Sequence, residues 1–408
     1  MQRNSKVYIE TIRFSHILET DTLENFHYFS PRTAFVISHK AESAETLQGV
    51  LWYLPTNSPI IIVTNSPRED IEHLKTSLRT HMLYHKKIYI VHQKDDSIAQ
   101  FFKTAGVHHM LGKDGKVIDG KGEGMYIGTL FSALLDYPQW VIFYDADNLV
   151  PSALLEYTLA MCRLFLSTDA YGRTYEESHM GDLLHNVRIC WSSKPEVNNG
   201  SLDYKLVGRC TSVVSPLLTT LLEEWFGIQD YPINSSNAGE QGMSIRAAKA
   251  LRFSSGYSIE TFQFLELLSK SFGLHGQPQR ALLQQYQAKS AHFHTKKGDN
   301  HIRKMIAQSL GCFFVFRDSL PALTANQLQR ICDEMSLDLS YPLIYPALED
   351  LHMEDVDFLP LAIPSEGDGG DATIFTYVHK EVFLHQYKLF NDIDSQDTWT
   401  VTHPVVEY

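Results

Sequence analysis

The sequence predicts an α/β protein in which a mostly parallel sheet carries helices on both faces. Over residues 31–165, short apolar runs alternate with segments whose apolar residues recur at helical spacing. The runs are apolar throughout, which is typical of strands buried on both faces. The length of 408 residues allows two or three domains, or one large domain with an appendage. Because such sheets bind ligands where parallel strands end, we expect the functional side chains at that edge.

Strands and helices alternate through the first half of the chain, after thirty polar and irregular residues. Apolar, β-branched runs predict strands at residues 33–38, 59–64, 87–91 and 140–144. Helical spacing predicts helices at residues 47–54, 68–82, 97–106, 125–135 and 153–166. Residues 112–124, which are rich in glycine and lysine, are interpreted as a loop.

The second half is less regular and predicts a mixed α+β lobe over the carboxyl edge of the sheet. The patterns favour strands at residues 187–191 and 204–207, and helices at residues 217–226, 239–251, 260–272, 278–287 and 301–311. The chain is rich in proline and acidic residues from about residue 318, and residues 365–371 are typical of a flexible linker. We therefore expect four segments: an N-terminal segment (1–30), an α/β half (31–165), a mixed lobe (166–317) and a partly flexible C-terminal extension (318–408).

The composition argues against several classes of protein. A formal net charge of −13, without a long lysine or arginine block, disfavours nucleic-acid binding. No apolar run approaches the ~20 residues that a membrane-spanning helix needs, and the first residues lack the apolar core of a secretion signal. The five cysteines are widely spaced without a CxxC pair, which suits a reducing cytosol and disfavours a thiolate zinc site. We expect a cytoplasmic protein without nucleic-acid or membrane partners.

The most informative motif is the pair Asp145 and Asp147, which follows the apolar strand 140–144. Alternate side chains of an extended strand point to one side, so both carboxylates can converge on one point. At ~4 Å and an effective dielectric constant of about 20 they would repel by on the order of 4 kcal/mol, which a divalent cation reverses. Oxygen ligands favour Mg²⁺ or Mn²⁺, which leave positions for substrate phosphates. The alternative is a solvated turn whose aspartates cap the next helix.

A second motif, KDGKVIDGKGEGM at residues 113–125, places four glycines and three lysines ahead of a helix. Glycine lets the backbone approach a phosphate, and both lysine and the amides of a helix N-terminus attract anions. The spacing does not match a P-loop, so a mobile surface turn is the alternative.

Histidines form a third motif, the HxH pair His292 and His294. In an extended strand both imidazoles share one side, and imidazole is an acceptable further ligand for a metal that aspartate already holds. An ordinary surface or core histidine is the alternative.

Three further residues have two interpretations each. Glu240 follows a glycine at a predicted helix start, where it either orients a sugar hydroxyl or favours the helix dipole. Arg188 and Arg209 lie near predicted strands, where they either bind an acidic acceptor or form salt bridges. Spacing alone does not separate these interpretations.

Taken together, these segments resemble the mannosyl-3-phosphoglycerate synthases, a family of retaining glycosyltransferases with a GT-A fold. The most specific are HQKD (92–95), GKGEGM (120–125) and DADN (145–148), which occur in family order. Other similar segments are IIVTNS (61–66), VRICW (187–191), AGE (238–240), SSG (254–256) and HFH (292–294). The family has His and Ala after its AGE triplet, whereas this chain has Gln241 and Gly242, which implies that Gln241 affects the choice of sugar.

The resemblance implies transfer of mannose from GDP-mannose to the 2-hydroxyl of 3-phosphoglycerate, with retention and with Mg²⁺ or Mn²⁺. Residues 31–165 would bind the nucleotide sugar, and residues 166–317 would complete the acceptor and metal sites. A cytoplasmic enzyme is implied, and a homodimer is one expectation for its assembly.

The resemblance also assigns roles to single residues. Asp147 would be the main metal ligand, Asp145 would lie beside it, and His292 or His294 would complete the coordination. The nucleotide and donor would contact Ser38, His39, Glu42, Asn65, Gln93 and Lys94, and the diphosphate and mannose would lie near Lys121, Gly122, Glu123 and Gly124. Glu240 would lie by the mannose hydroxyls, and Arg188 or Arg209 would hold the acceptor phosphate.

Several alternatives stay open at this point. The nearest is a glucosyl-3-phosphoglycerate synthase, or another metal-dependent nucleotide-sugar transferase. A haloacid-dehalogenase-like phosphatase also has Asp-x-Asp after an apolar strand, but in its first strand and with another residue pattern after the second aspartate. A nucleotidyltransferase would carry a glycine-rich loop after its first strand, and a non-catalytic protein that binds sugar nucleotides would lack turnover.

Overall fold

The computed structural model describes residues 7–13, 22–80, 86–167, 174, 181–191, 194–205, 208–229, 231–274, 276–294, 298–351 and 374–375. The strands in these residues are β1 (Val7–Arg13), β2 (Thr33–His39), β3 (Pro59–Thr64), β4 (Lys87–His92), β5 (Trp140–Asp145), β6 (Leu183–Trp191), β7 (Lys194–Asn198), β8 (Ser201–Lys205), β9 (Gln241–Ser244), β10 (Phe253–Ser254), β11 (Arg280–Ala288), β12 (Ile344–Tyr345) and β13 (Ile374–Phe375). The α-helices are α1 (Thr22–Phe29), α2 (Ala44–Trp52), α3 (Arg68–Thr80), α4 (Asp96–Thr104), α5 (Lys121–Leu134), α6 (Ala153–Phe165), α7 (Thr211–Phe226), α8 (Ile245–Ala250), α9 (Ile259–Phe272), α10 (Asp299–Gly311) and α11 (Ala322–Met335).

One large sheet organises these elements. Its strand order in the described residues is β1-β11-β6-β9-β5-β2-β3-β4-β13. Strand β9 is antiparallel to its neighbours β5 and β6, and the other neighbouring strands are parallel. The predicted α/β class with a mostly parallel sheet is therefore confirmed. The sheet also runs without a break through residues of both the predicted α/β half and the predicted mixed lobe.

Both faces of the sheet are buried, which explains the continuous apolar runs in the sequence. Successive side chains of a strand point to opposite faces. Accordingly, Val36 and Ile61 belong to one core cluster, whereas Phe35 and Ile62 belong to a second cluster on the other face. Helices cover the two clusters, so the carboxyl edge of the parallel strands is where a ligand can approach.

Local signals place several helix ends. The side chain of Ser43 accepts a hydrogen bond from the amide of Thr46 at the start of α2, and Asp95 accepts one from Ser97 at the start of α4. Helices α7 and α9 end in left-handed glycines, Gly227 and Gly273, a conformation that costs glycine little. These caps lie close to the predicted helix boundaries.

Four sequence predictions were wrong. Residues 278–287, predicted as a helix, form strand β11, and the predicted helix 239–251 is split into strand β9 and the short helix α8. The first thirty residues, predicted as irregular, contain β1 and α1. The predicted loop 112–124 ends earlier, because α5 already begins at Lys121. The predicted linker 365–371, and the ends of the predicted helix 68–82 and strand 204–207, lie outside the described residues.

All five cysteines are unpaired thiols in the interior. Burial raises the pKa of Cys162 and of Cys190 to about 12, so these thiols stay protonated at neutral pH. In the part of the chain that the structure describes, no helix is both long and apolar enough to cross a membrane.

Candidate active site

A cavity of about 720 Å³ opens at the carboxyl edge of the sheet. The ends of β2 and β5 and the residues directly after β3 and β4 form its floor, and the starts of α5, α7 and α9 and one face of α10 form its walls. Predicted site residues that line it are Ser38, His39, Glu42, Asn65, Gln93, Lys121, Gly124, Asp145, Asp147, Arg209, His292 and His294. The structure thus brings together residues that are up to 256 positions apart in the chain.

A buried lysine between two carboxylates forms the centre of the cavity floor. The Lys121 ammonium lies 2.6 Å from Oδ1 of Asp145 and 2.7 Å from Oε1 of Glu260. Burial alone would lower the pKa of Lys121, but the two carboxylates hold it well above its ordinary value. Lys121 is therefore a permanent positive charge at the edge of the sheet. Gly239 packs on this group, where a Cβ atom would collide with Asp145 and Lys121.

The DxD segment and the HxH segment meet at the cavity. The amide of Leu149 donates a hydrogen bond of 2.8 Å to the carbonyl of Phe293. This contact fixes the histidines beside the aspartates, and the ring centroids of His292 and His294 are 5.1 Å apart. His292 also stacks on the ring of Trp191 at 4.3 Å.

This donor set fits a divalent cation that the substrate helps to bind. The carboxylates of Asp145 and Asp147 and the imidazoles of His292 and His294 line one cavity. Within the described ranges, no three His, Cys, Asp or Glu side chains are grouped closely enough to hold an ion by themselves. Mg²⁺ is usually bound by one or two carboxylates and completed by water and substrate phosphates. Asp147 with one histidine would supply the protein ligands, because Asp145 is paired with Lys121.

The ends of the three parallel strands β2, β3 and β4 supply a polar row. His39 Nδ1 lies 2.9 Å from Thr64 Oγ1, and its Nε2 lies 3.2 Å from the carbonyl of Glu42. Burial lowers the pKa of His39, so the imidazole is neutral at pH 7. Next to it, the Asn65 amide donates a hydrogen bond of 2.7 Å to Gln93. Neutral donors and acceptors of this kind suit a nucleotide base or ribose.

Arg188, one of two residues predicted for the acceptor phosphate, is not among the residues that line the cavity. Its guanidinium is fully buried and donates hydrogen bonds to Gln241 Oε1 (2.8 Å) and to the carbonyls of Glu260 (2.9 Å) and Ser235 (3.0 Å). Burial lowers the pKa of Arg188 to about 10. Gln241 is buried with it, so both side chains support the cavity wall from behind.

Glu240 also lies behind the lining of the cavity. Its carboxylate is fully buried, with Oε1 3.7 Å from Nδ1 of His292. It therefore contacts the HxH segment and is not among the residues that line the cavity. Its contact with the sugar hydroxyls stays a prediction.

Glu123 and Gly122 serve the packing of α5. The carboxylate of Glu123 accepts hydrogen bonds from the hydroxyl of Tyr345 (2.6 Å) and from the amide of Gly256 (3.0 Å). Burial raises the pKa of Glu123. Gly122 lies so close to the carbonyl of Ser254 that a Cβ atom would collide with it. Neither residue lines the cavity, although both hold its walls together.

Cations mark the outer side of the cavity. Arg209 lies two residues before the first residue of α7 and pairs with Asp299 at 2.6 Å. Lys304 of α10 lines the same side. Lys94 stays outside the lining, with its ammonium 4.0 Å from Asp119 Oδ2. An anionic group that enters between α7 and α10 would meet Arg209 and Lys304.

Comparisons with known proteins decide the family. A family model described as mannosyl-3-phosphoglycerate synthase matches residues 4–358. The chain belongs to this family. It is therefore an enzyme of the glycosyltransferase class, and the resemblance noted in the sequence is confirmed.

Relatives with curated names agree with this result. The mannosyl-3-phosphoglycerate synthase of Pyrococcus furiosus is 32% identical over 295 residues, which cover 69% of this chain and 71% of that protein. The protein of the same name from Aeropyrum pernix is 29% identical over 294 residues, which cover 69% of this chain and 72% of that protein.

Two synthases are among the solved structures that a structural comparison matches to this chain. One is mannosyl-3-phosphoglycerate synthase from Rubrobacter xylanophilus, at 14% identity and a TM-score of 0.45, with 91% of this chain and 94% of that chain covered. Another is glucosyl-3-phosphoglycerate synthase from Mycobacterium tuberculosis in complex with Mn²⁺, UDP and phosphoglyceric acid, at 14% identity and a TM-score of 0.46, with 81% and 93% covered.

Sequence reasoning missed part of the cavity. Glu260 was not singled out, because a carboxylate in the first turn of a helix is common. Tyr257, His301, Lys304 and Gln308 also line the cavity. His301, Lys304 and Gln308 lie at helical spacing on one face of α10, so the predicted helix 301–311 places them side by side. Nothing in the sequence of this helix shows that this face lines the cavity.

Proposed function

We propose that this enzyme transfers mannose from GDP-mannose to the 2-hydroxyl of 3-phosphoglycerate and retains the anomeric configuration. The observation that carries the proposal is the meeting of Asp145, Asp147, Lys121 and the HxH pair in one cavity, with Arg209 on its outer side. Family membership supports the reaction, and the acidic pair at the end of β5 supports a phosphate-linked donor. A cytoplasmic homodimer is the proposed working form.

The donor would bind along the carboxyl edge of the sheet. His39, Asn65 and Gln93 offer neutral hydrogen-bonding groups for the nucleoside. Lys121 and the amides at the start of α5 would face the diphosphate, since both attract anions. Gly239 packs against Asp145 and Lys121 and lines the cavity with them, so the sugar would lie near this group.

A divalent cation, Mg²⁺ or Mn²⁺, would be held by Asp147 with His292 or His294. When bound, it would supply positive charge to the leaving diphosphate, an effect worth several kcal/mol in a site that excludes water. The side chains of the protein would orient the donor and hold the acceptor hydroxyl on the face of the sugar that the leaving phosphate occupies. Lys121 would stabilise the same developing negative charge from the floor of the cavity.

The acceptor would enter between α7 and α10. Arg209 lies at the N-terminal end of α7, and Gly208, Cys210 and Thr211 line the cavity with it. A helix N-terminus next to a guanidinium suits a phosphate or carboxylate. We propose that Arg209, and not Arg188, holds the phosphate of 3-phosphoglycerate.

The test is a matrix of donors and acceptors, each assayed with Mg²⁺, with Mn²⁺ and with EDTA. GDP-mannose, GDP-glucose and UDP-glucose are combined with 3-phosphoglycerate, 2-phosphoglycerate and glycerate, and products are identified by NMR. We expect turnover for GDP-mannose with 3-phosphoglycerate, an α-linked product, and loss of turnover in EDTA. Turnover with a glucose donor alone would assign the enzyme to the glucosyl alternative, and release of phosphate without transfer would favour a phosphatase.

A further inference from the structure

Glu260 lies in the first turn of α9 and lines the cavity, although its side chain is almost wholly buried. Its side chain is only 3% exposed, and Oε1 accepts a hydrogen bond of 2.7 Å from the Lys121 ammonium. The second carboxylate oxygen, Oε2, is buried and has no hydrogen-bond partner among the described residues. Its backbone carbonyl is held by Arg188 at 2.9 Å. The backbone at Glu260 is therefore anchored, while its carboxylate points to a single cation.

The ammonium of Lys121 pairs with two carboxylates at once, those of Asp145 and Glu260. An ammonium group has three donors, of which Asp145 and Glu260 take two, and Lys121 lines the cavity. A lysine stem is flexible and would follow a single carboxylate to wherever it moves. A second carboxylate on the opposite side fixes the ammonium between them, so that the remaining donor keeps one direction.

We propose that Glu260 is a positioning residue for the donor diphosphate and acts through Lys121. It holds the ammonium at the cavity floor and prevents its full collapse onto Asp145. The inference rests on the proposed function in one respect, namely that a sugar nucleotide binds in this cavity. It adds a third carboxylate, from α9, to the pair Asp145 and Asp147 at the end of β5.

A double-mutant cycle tests the proposal, because residues that act through one another are not additive. The variants are Glu260→Gln, Lys121→Met and the double variant, and the readout is the affinity for GDP and for UDP, each with Mn²⁺, by calorimetry. We expect Glu260→Gln to weaken nucleotide binding by about tenfold and Lys121→Met by more, as for a lost charge-assisted contact. The double variant should bind no more weakly than Lys121→Met alone.

Glu266 provides a matched control on the same helix. It is also fully buried and is paired with Arg252, with Oε1 at 2.9 Å and Oε2 at 2.7 Å from the guanidinium, but it does not line the cavity. Glu266→Gln should lower the free energy of unfolding and leave nucleotide affinity unchanged in both backgrounds. The KM for 3-phosphoglycerate should change less than the KM for the donor in Glu260→Gln.

Two results would overturn the inference: unchanged nucleotide affinity in Glu260→Gln, or an equal loss from that substitution in the Lys121→Met background. If Glu260→Gln does not fold, Glu260→Asp, which keeps the charge but withdraws it from Lys121 by one methylene, takes its place with the same expectations. If only UDP binds the native enzyme, the GDP-mannose proposal fails while the cycle still tests Glu260. If neither nucleotide binds, both proposals fail.

Discussion

Asp145 and Asp147 follow the same strand but have different neighbours. Asp145 is ion-paired with Lys121. Asp147 lies two residues later in the chain, close to Leu149, whose amide donates a hydrogen bond to Phe293 of the HxH segment. We therefore expect different roles for the two carboxylates: Asp145 pairs with Lys121, and Asp147 is the proposed metal ligand.

The first prediction concerns Asp147. Asp147→Ala should lower kcat by at least about a hundredfold, because it removes the main ligand of an ion that stabilises the leaving group. Binding of Mn²⁺ with GDP, measured by calorimetry, should weaken in parallel, while the urea midpoint stays near that of the native enzyme. Asp182→Ala, which removes an exposed carboxylate that pairs with Arg246, is the control. A fully active Asp147→Ala enzyme would contradict the assigned role.

The sequence predicts site residues that stand in short local motifs. It does not predict the environment of residues whose contacts come from distant parts of the chain. Asp145, Asp147, Lys121 and the histidines stand in dense motifs, and the structure brings them together. Arg188 stands next to a strand in the sequence, but its burial depends on contacts with residues 47 to 72 positions away. No local pattern contains that information.

Strand β12 shows how a distant element supports the site. It pairs with β10, and the Tyr345 hydroxyl donates a hydrogen bond to Glu123 at the start of α5. Glu123 in turn accepts a hydrogen bond from the amide of Gly256, a cavity-lining residue. Tyr345, from the segment predicted as a C-terminal extension, thus braces two walls of the cavity.

The second prediction is for this contact. Tyr345→Phe leaves a buried carboxylate with one partner fewer and should lower the free energy of unfolding by about 1–3 kcal/mol. Urea denaturation measures the change. Tyr341→Phe removes an exposed tyrosine hydroxyl from the same segment and should change stability little. Equal stability of the two variants would show that the Glu123 contact contributes nothing.

The third prediction concerns pH and the pairing of β6 with β11. His185 on β6 is buried, with Nε2 2.8 Å from Gln284 Oε1 on β11, and burial lowers its pKa to about 4 from an ordinary value of 6.5. As the pH falls from 6.5 to 4, the unfolded chain binds this proton before the folded chain does. Stability from this group is therefore complete above pH 6.5 and is lost progressively towards pH 4.

Between pH 7 and pH 5 the loss should be about 2 kcal/mol, since each unit of pKa difference is worth ~1.4 kcal/mol. His185→Gln should flatten this part of the curve of unfolding free energy against pH, measured by urea titration at each pH. His108→Gln, which removes an exposed imidazole, should leave the curve unchanged. A His185→Gln curve as steep as the native one would contradict the prediction.

Elements were predictable where one pattern dominated. Strands β2, β3, β4 and β5 each contain a mostly apolar run, and their bounds were predicted to within one residue. Strand β11 was taken for a helix because Leu282, Leu283 and Tyr286 also fit helical spacing, and burial on both faces removes the alternation that would identify a strand. Strand β9 has only four residues, which is too short for any period to show.

The large sheet pairs strands that come from distant parts of the chain. Strand β1, from the first residues, pairs with β11, and β9 lies between β5 and β6. The segments predicted as residues 31–165 and 166–317 therefore share hydrogen bonds along the sheet. The pairing of strands across these two segments could not be predicted from the sequence, because strand order depends on contacts between residues that are far apart in the chain.

The fourth prediction follows from this continuity. Urea unfolding should be one cooperative transition, with coincident curves from tryptophan fluorescence and far-UV circular dichroism. GDP with Mn²⁺ at about 100 times its Kd should add ~2.7 kcal/mol to the free energy of unfolding, and EDTA should remove the part that depends on the ion. Two separated transitions would show that the segments unfold independently.

The five buried thiols can report on unfolding, because they become accessible to a thiol reagent when the chain unfolds. A small alkylating agent such as iodoacetamide reacts with thiolate. The packed core excludes the reagent from the five thiols, and burial raises the pKa of Cys162 and of Cys190 to about 12. Intact mass spectrometry after a brief pulse of the reagent would then separate unlabelled molecules from fully labelled ones. The labelled fraction gives the unfolded population directly, without an engineered cysteine or a fluorophore.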